Sequence, residues 1–406
     1  MTGTTYPKNA WTLCWLLFFA TALSFLDRQV LSVLAPSLMV ELGMDNTDYA
    51  HVISAFTFSY MVMFSAGGWL VDKLGTRSGL ALCIAVWSIA SGAHGFAASV
   101  TGLIVGRLFL GLGEGGCFPA STKGACEWFP PEKRTVAIGI ANGGAAFGAV
   151  AAPPLTVWAA LEFGWRGAFF ATGIIGITWI VGWLFVTRHL SRLASPDPAA
   201  TLEARPPWRS LLADPRVWRI LAARFCFDPV FYFYMFWIPK YLSDERGFSL
   251  KQIGDYSWIP FLALGLSSLV AGPVSAKLMG TGPRRRSRGW PLVLAAIVTP
   301  VSGLVTLAPS AGWAIALMAL LMAAHGIWIT NFLADIGDRF PSTVIASIVG
   351  LSGTIGGIAG TIANLGTGSV VDAYGFKPIF IFTSVLYPIA AIILLARRNP
   401  PTHPAA

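Results

Sequence analysis

Gly68-Trp69-Leu70-Val71-Asp72-Lys73-Leu74-Gly75 is echoed late in the chain by Gly368-Ser369-Val370-Val371-Asp372-Ala373-Tyr374-Gly375, a displacement of 300 residues. A second displacement, of 211 residues, recurs at two separate places. Phe129-Pro130 returns as Phe340-Pro341, and Phe163-Gly164-Trp165-Arg166 returns as Tyr374-Gly375-Phe376-Lys377, with Phe169 falling on Phe380. One displacement shared by distant places marks an internal duplication rather than a bias of composition. Taken together, the two displacements imply two halves, each holding a smaller repeat.

Apolar sequence fills the space between these echoes. Of 406 residues, 55% are hydrophobic and only 12% charged, and the mean hydropathy is +0.65. A soluble chain carries roughly a quarter charged residues, because its surface faces water. This composition excludes a disordered protein, a secreted disulfide scaffold and a soluble nucleic-acid binder. Apolar runs of about 20 residues, enough to cross a bilayer, start near Trp11, Asp48, Gly79, Thr101, Arg134, Trp165, Arg216, Gln252, Trp290, Gly312, Val344 and Phe376. The expected fold is therefore all-α and membrane-integral, with twelve transmembrane helices in two six-helix halves, residues 1–190 and 216–406. A basic, proline-bearing linker, residues 191–215, joins them. The first run lacks a small-residue cleavage site and is read as a retained span. Five cysteines lie in or beside spans, with neither disulfide nor metal-ligand spacing, and read as packing.

The net charge of +9 has a positional explanation. Most Lys and Arg fall in one alternating set of loops and ends, among them Lys8, Lys73, Arg77, Lys133, Arg134, Arg188, Arg192, Arg284 and Arg397. Such a bias orients a membrane protein with that side inward. A multi-pass protein of a bacterial inner membrane, both termini cytoplasmic, is expected, and no nucleic-acid partner is needed.

A few charges lie at span depth, where each is a functional candidate because burial in lipid is costly. Asp27 and Arg28 fall in the first span, Arg107 and Glu114 in the fourth. Glu114 follows Arg107 by seven residues, two turns along one helical face. Burial favours a neutral carboxyl and a neighbouring guanidinium favours a charged one, so an acid held between them can take up and release a proton. Arginine stays charged and suits an anionic substrate or a counter-ion role. Arg224 and Asp228, spaced i, i+4, can pair along the seventh span, where a structural and a functional role remain equally open.

Polar and aromatic groups complete a candidate lining: Tyr60, Asn142, Tyr232, Tyr234, Trp237, Asn364 and the stripe His325, Trp328, Asn331. Under the 211 displacement Glu114 falls on His325. Glycines 139, 143, 144 and 148 in the fifth span are spaced to let helices approach closely. Gly113-x-Gly115-Gly116 lies mid-helix with no preceding strand, so it is no nucleotide fingerprint. Neither a metal cluster nor a nucleophile elbow is present. No cofactor and no enzyme activity are expected, and uphill transport would draw on an ion gradient.

The stretch from Gly68 to Arg77 resembles the signature of the major facilitator superfamily, with Lys73 in place of the more usual arginine. Duplicated six-span halves with nested repeats describe the same architecture. Within it the chain resembles the anion:cation symporter family, most of all its hexuronate transporters. The resemblance rests on Leu26-Asp27-Arg28-Gln29, Gly106-Arg107 through Glu114 with Phe118-Pro119, and Asn142-Gly143-Gly144. Arg224-Phe225, Asp228-Pro229 through Tyr241, and His325, Trp328 and Asn331 add to it. It implies that Asp27 and Glu114 carry protons, Arg107 tunes Glu114, Arg28 meets the substrate carboxylate, and Tyr60 and Asn364 contact sugar hydroxyls. Asp72 and Arg77 would belong to a cytoplasmic gate. Ala145 stands where related carriers have glutamine, which favours a hexuronate over a galactonate. The implied protein is a monomeric proton symporter of a hexuronate such as glucuronate or galacturonate. An aldonate, aldarate or aromatic acid is the alternative substrate class.

Overall fold

The computed structural model describes residues 9–188, 211–279, 289–340 and 342–396. Residues 191–210 of the expected linker, and with them Arg192, lie outside the described residues, as do Lys8, Arg284, Pro341 and Arg397. Every regular element among the described residues is helical. In order they are α1 (Ala10–Leu42), α2 (Asn46–His94), α3 (Val100–Glu114), α4 (Cys117–Trp128), α5 (Pro131–Val186) and α6 (Pro215–Arg246). There follow α7 (Leu250–Tyr256), α8 (Ile259–Met279), α9 (Gly289–Val298), a 3-10 helix (Thr299–Leu307), α10 (Ala311–Arg339), α11 (Ser342–Tyr374) and α12 (Lys377–Leu395).

The sequence echoes are echoes of backbone geometry. Gly75 breaks α2 at φ 75°, Gly164 breaks α5 at φ 72°, and Gly375 separates α11 from α12 at φ 71°. These three aligned glycines adopt one left-handed conformation, which a residue with a Cβ rarely takes. The 211 displacement also relates two helix ends and two helix starts. Phe129 and Phe340 close α4 and α10 at φ −122°, with ψ 141° and 147°. Ser99 and Ser310 cap α3 and α10 by accepting the backbone N–H of the third helical residue. Asp45 and Ser249 head two capping boxes, each two residues after a left-handed glycine, Gly43 and Gly247.

Nine segments among the described residues are long and apolar enough to cross a membrane. That number differs from the twelve runs read in the sequence for local reasons. The segment Glu132–Val186 counts once although Gly164 divides it, α2 contributes only Ala66–His94, and α6 does not qualify. The apolar run of α6 is interrupted by Arg224, Asp228 and Lys240. Large apolar side chains such as Phe19, Val40, Trp69, Ile89, Phe185 and Leu269 face outward along the helices. In water such a surface would drive association; against hydrocarbon it is the ordinary exterior.

The chain divides into two compact units, Met1–Pro198 with Pro239–Trp258, and Ala199–Ile238 with Ile259–Ala406. Close helix approach builds each one. In the first unit, Gly144 and Gly148 of α5 face the carbonyls of Phe18 and Ala22 on α1, while Gly139 and Gly143 face open space. Only half of the expected glycine face is therefore a contact face. Gly111 of α3 meets Phe56 and Ser59 on one arm of α2, and Gly113 meets Cys83 and Trp87 on the other. The glycine run thus inserts α3 between the arms and fixes the depth of Glu114, its last residue. In the second unit, Gly356 and Gly360 of α11 face Asp228 and Tyr232 of α6.

Candidate functional site

Four ionisable side chains are buried together in the first unit: Asp27 and Arg28 of α1, and Arg107 and Glu114 of α3, none more than 3% exposed. Arg28 donates from Nε at 3.1 Å and from Nη2 at 2.9 Å to Oε2 of Glu114. Ser24, one helical turn earlier on α1, donates to the same oxygen at 3.0 Å. Oε1 of Glu114 has no hydrogen-bond partner among the described residues. The Arg28 guanidinium also lies over the rings of Phe25, Tyr60 and Phe56, at 4.4, 4.5 and 5.0 Å. A cation desolvated against aromatic faces is held by their negative quadrupole.

This pairing differs from the sequence expectation. Helical spacing put Arg107 and Glu114 on one face, yet Oε2 of Glu114 is bonded by an arginine from the neighbouring helix. Arg107 donates through Nη1 to the Arg28 carbonyl at 3.3 Å, and its Nε and Nη2 find no partner among the described residues. Asp27 accepts from Ser91 of α2 at 2.8 Å, and Ser91 is in turn 2.8 Å from Thr172 of α5. Its second oxygen, Oδ2, is unpartnered among the described residues. Two acids and the Arg107 guanidinium, with atoms unsatisfied among the described residues, have capacity for a proton, water or an anion, since buried polar groups are otherwise paired.

The second unit holds its own polar set. Arg224 donates through Nε to Asp228 at 2.8 Å, with Ser352 of α11 3.5 Å from Nη1. His325 Nδ1 is hydrogen-bonded to the hydroxyl of Tyr387 on α12, and its ring stacks on Phe231 at 4.8 Å. Trp328 is fully buried with Nε1 unpartnered. Asn331 donates to the Ile327 carbonyl and leaves Oδ1 free of hydrogen bonds. Trp237 donates to Asn364 at 3.2 Å. Tyr232 lies against Gly360, whereas the Tyr234 hydroxyl is 2.8 Å from Ser302. Asn142, in the first unit, has an unpartnered Oδ1; this, like the unpartnered atoms of Trp328 and Asn331, holds among the described residues.

Toward the far end of α4, Lys123 joins Asp72 at 2.9 Å and the Val71 carbonyl at 3.1 Å. Arg77 donates to Thr187 at 3.1 Å, and its carbonyl accepts from Trp183 at 3.0 Å. No group of three or more His, Cys, Asp or Glu is placed to hold a metal among the described residues.

Sequence reasoning missed Ser24, Ser91, Thr172 and Tyr387, and it placed Lys123 inside a span without giving it a role. Serine and threonine inside apolar runs carry no charge signal. The duplication did carry one for two of them, since the 211 displacement maps Ser91 on Ser302 and Thr172 on Thr383.

The family profile described as Major Facilitator Superfamily matches residues 17–364. A hexuronate transporter of Escherichia coli (strain K12) is 29% identical over 401 residues, covering 95% of this chain and 93% of the relative. A galacturonate transporter of Dickeya chrysanthemi is 30% identical over 277 residues, covering 64% of this chain and 80% of that protein. Among solved structures, a bacterial homolog of the human lysosomal transporter Spinster, crystallised inward-facing and unoccupied, superposes with a TM-score of 0.78. It is 18% identical and covers 96% of both chains, a likeness of fold alone.

Proposed function

The chain belongs to the major facilitator superfamily, a family of transporters, and is a multi-pass membrane protein; from that premise we propose that it imports a sugar-acid monoanion together with protons. The preferred substrate class is a hexuronate such as glucuronate or galacturonate, as in the relatives named above. Counting both arms of α2 and α5 and including α6 gives twelve crossings in two six-helix halves. The basic loops then lie at the cytoplasmic face of an inner membrane with both termini, and the carrier works as a monomer by alternating access.

One observation carries this reading, the buried Arg28–Glu114 pair. Glu114 and a substrate carboxylate compete for the same guanidinium. A proton on Glu114 cancels its charge and frees Arg28 for the substrate; loss of that proton restores the pair and expels the anion. Asp27 is the second proton carrier, and Arg107 keeps the four-charge cluster near neutrality. Tyr60, Asn142, Tyr232, Trp237, His325, Trp328, Asn331 and Asn364 supply polar and aromatic contacts to the sugar. Tyr234, its hydroxyl turned to Ser302, braces the helices around it. Asp72, tied to Lys123, and Arg77, tied to Thr187, form part of the cytoplasmic gate.

Purified protein in proteoliposomes with an imposed pH gradient, inside alkaline, tests the proposal. Glucuronate or galacturonate should accumulate, and collapsing the gradient should stop uptake. Accumulation of aldonates with none of uronates would replace the substrate assignment, and uptake indifferent to the gradient would remove the proton.

A further inference from the structure

Two hydroxyl chains of the same composition lie in the two units. In the first, Ser91 Oγ is 2.8 Å from Thr172 Oγ1, and Thr172 reaches the Phe169 carbonyl at 3.1 Å. In the second, Ser302 Oγ is 2.7 Å from Thr383 Oγ1, and Thr383 reaches the Phe380 carbonyl at 3.0 Å. Each member of one chain falls on its counterpart under the 211 displacement that relates the loops. All four hydroxyl residues are buried. Only the head group differs: Asp27 in the first unit, Tyr234 in the second, each 2.8 Å from its serine.

The difference in head group decides what the chain can do. A phenol keeps its proton, so Tyr234 has one charge state, and the second chain can run from Tyr234 to Ser302 to Thr383 to the Phe380 carbonyl with no change of protonation to turn it. A carboxyl has two states. As a carboxylate, Asp27 only accepts, so Ser91 donates to it and Thr172 donates to Ser91. As a carboxylic acid, Asp27 donates to Ser91, Ser91 to Thr172, and Thr172 to the Phe169 carbonyl. The two hydroxyls rotate, no proton leaves the chain, and neither state strands a buried donor. A stranded buried donor would carry its full desolvation penalty.

We propose that Ser91 and Thr172 are positioning residues for proton coupling, forming a reversible hydroxyl chain that accommodates both protonation states of Asp27. The proposal rests on the reading of Asp27 as a proton carrier. Arg107 and Glu114 are the ionisable groups that act on Asp27, Arg28 follows it in the sequence, His94 lies by Arg107, and none is part of the chain. The hydroxyl scaffold is the same in both units, and only the copy headed by an acid has a change of protonation state to accommodate.

The test compares Ser91→Ala, Ser91→Thr, Thr172→Val and Ser302→Ala with the wild type in proteoliposomes. Two rates are read for each: accumulation driven by a pH gradient, and counterflow exchange at equal pH. Ser91→Ala and Thr172→Val should lose accumulation about tenfold, the worth of one hydrogen bond to a charged group, while exchange persists. Ser91→Thr should restore it, and Ser302→Ala should accumulate as the wild type does. Wild-type accumulation in Ser91→Ala, or an equal loss in Ser302→Ala, would overturn the proposal. A wild-type chain with exchange but no proton-driven accumulation would instead overturn the coupling reading. The infrared carboxyl band of Asp27, identified by its loss in Asp27→Asn, then decides the positioning role. A band shifted by Ser91→Ala supports it, and an unmoved band refutes it.

Discussion

Arg28 gives two N–H groups to one oxygen of Glu114, Oε2, and none to the other. The pair is tight on one side and open on the other, the geometry that the proposed exchange of Glu114 for a substrate carboxylate needs. Replacing Arg28 by Ala removes the partner and leaves a buried carboxylate, which costs about 3–5 kcal/mol. We expect a clearly lower midpoint of thermal unfolding in detergent at neutral pH. Arg28→Lys keeps the charge but not the planar fork; it should stay folded and raise the KM for a uronate about tenfold, read as loss of a charge-assisted hydrogen bond.

His325 is clamped between the Phe231 ring and the Tyr387 hydroxyl. If the phenol donates to Nδ1, the imidazole carries its proton on Nε2 and presents a donor. Tyr387→Phe removes one oxygen and keeps the ring that packs on Phe227 and Trp328. The KM for a uronate should rise several-fold, about the worth of one neutral hydrogen bond, with the maximal rate nearly unchanged. An unchanged KM would detach His325 from substrate binding.

Lys123 is the cation that meets Asp72, with Glu127 3.8 Å away. The pair is half-exposed, so its worth to stability is small, about 0–1 kcal/mol. Its effect should instead be kinetic. Asp72→Asn should leave the unfolding temperature within a degree or two, by the size scaling of such shifts, and change the rate of counterflow exchange. Equal exchange rates in mutant and wild type would remove Asp72 from the gate.

Gly148 faces the Ala22 carbonyl so closely that a Cβ meets backbone, which cannot swing aside. Gly148→Val should therefore destabilise by about 1–3 kcal/mol or more, whereas Gly143→Ala, pointing into open space, should be nearly neutral. Thermal unfolding of the two variants side by side checks this.

The repeated loops were legible because left-handed backbone requires glycine, and Gly75, Gly164 and Gly375 therefore stand out in the sequence. The four buried charges were equally legible, since charge in an apolar run is rare. Their pairing was not. Helical spacing relates Arg107 to Glu114 along one helix, but the depth and rotation of α1 against α3 decide that Arg28 arrives first. Those two quantities come from the glycine contacts of α3 with α2 and of α1 with α5, which involve several helices at once. The twelve runs read in the sequence exceed the nine apolar segments at α2, at Gly164, where helix continues on both sides of the turn, and at α6, where Arg224, Asp228 and Lys240 lower the hydropathy. Ser91 and Thr172 were hidden by their chemistry but exposed by the 211 displacement.

Glu114→Gln tests the central claim most directly, because it keeps the shape of the side chain while fixing it neutral. Reconstituted Glu114→Gln should exchange uronate across the membrane at equal pH and fail to accumulate it against a gradient when a pH difference is imposed. Uphill accumulation by Glu114→Gln at the wild-type rate would contradict the account.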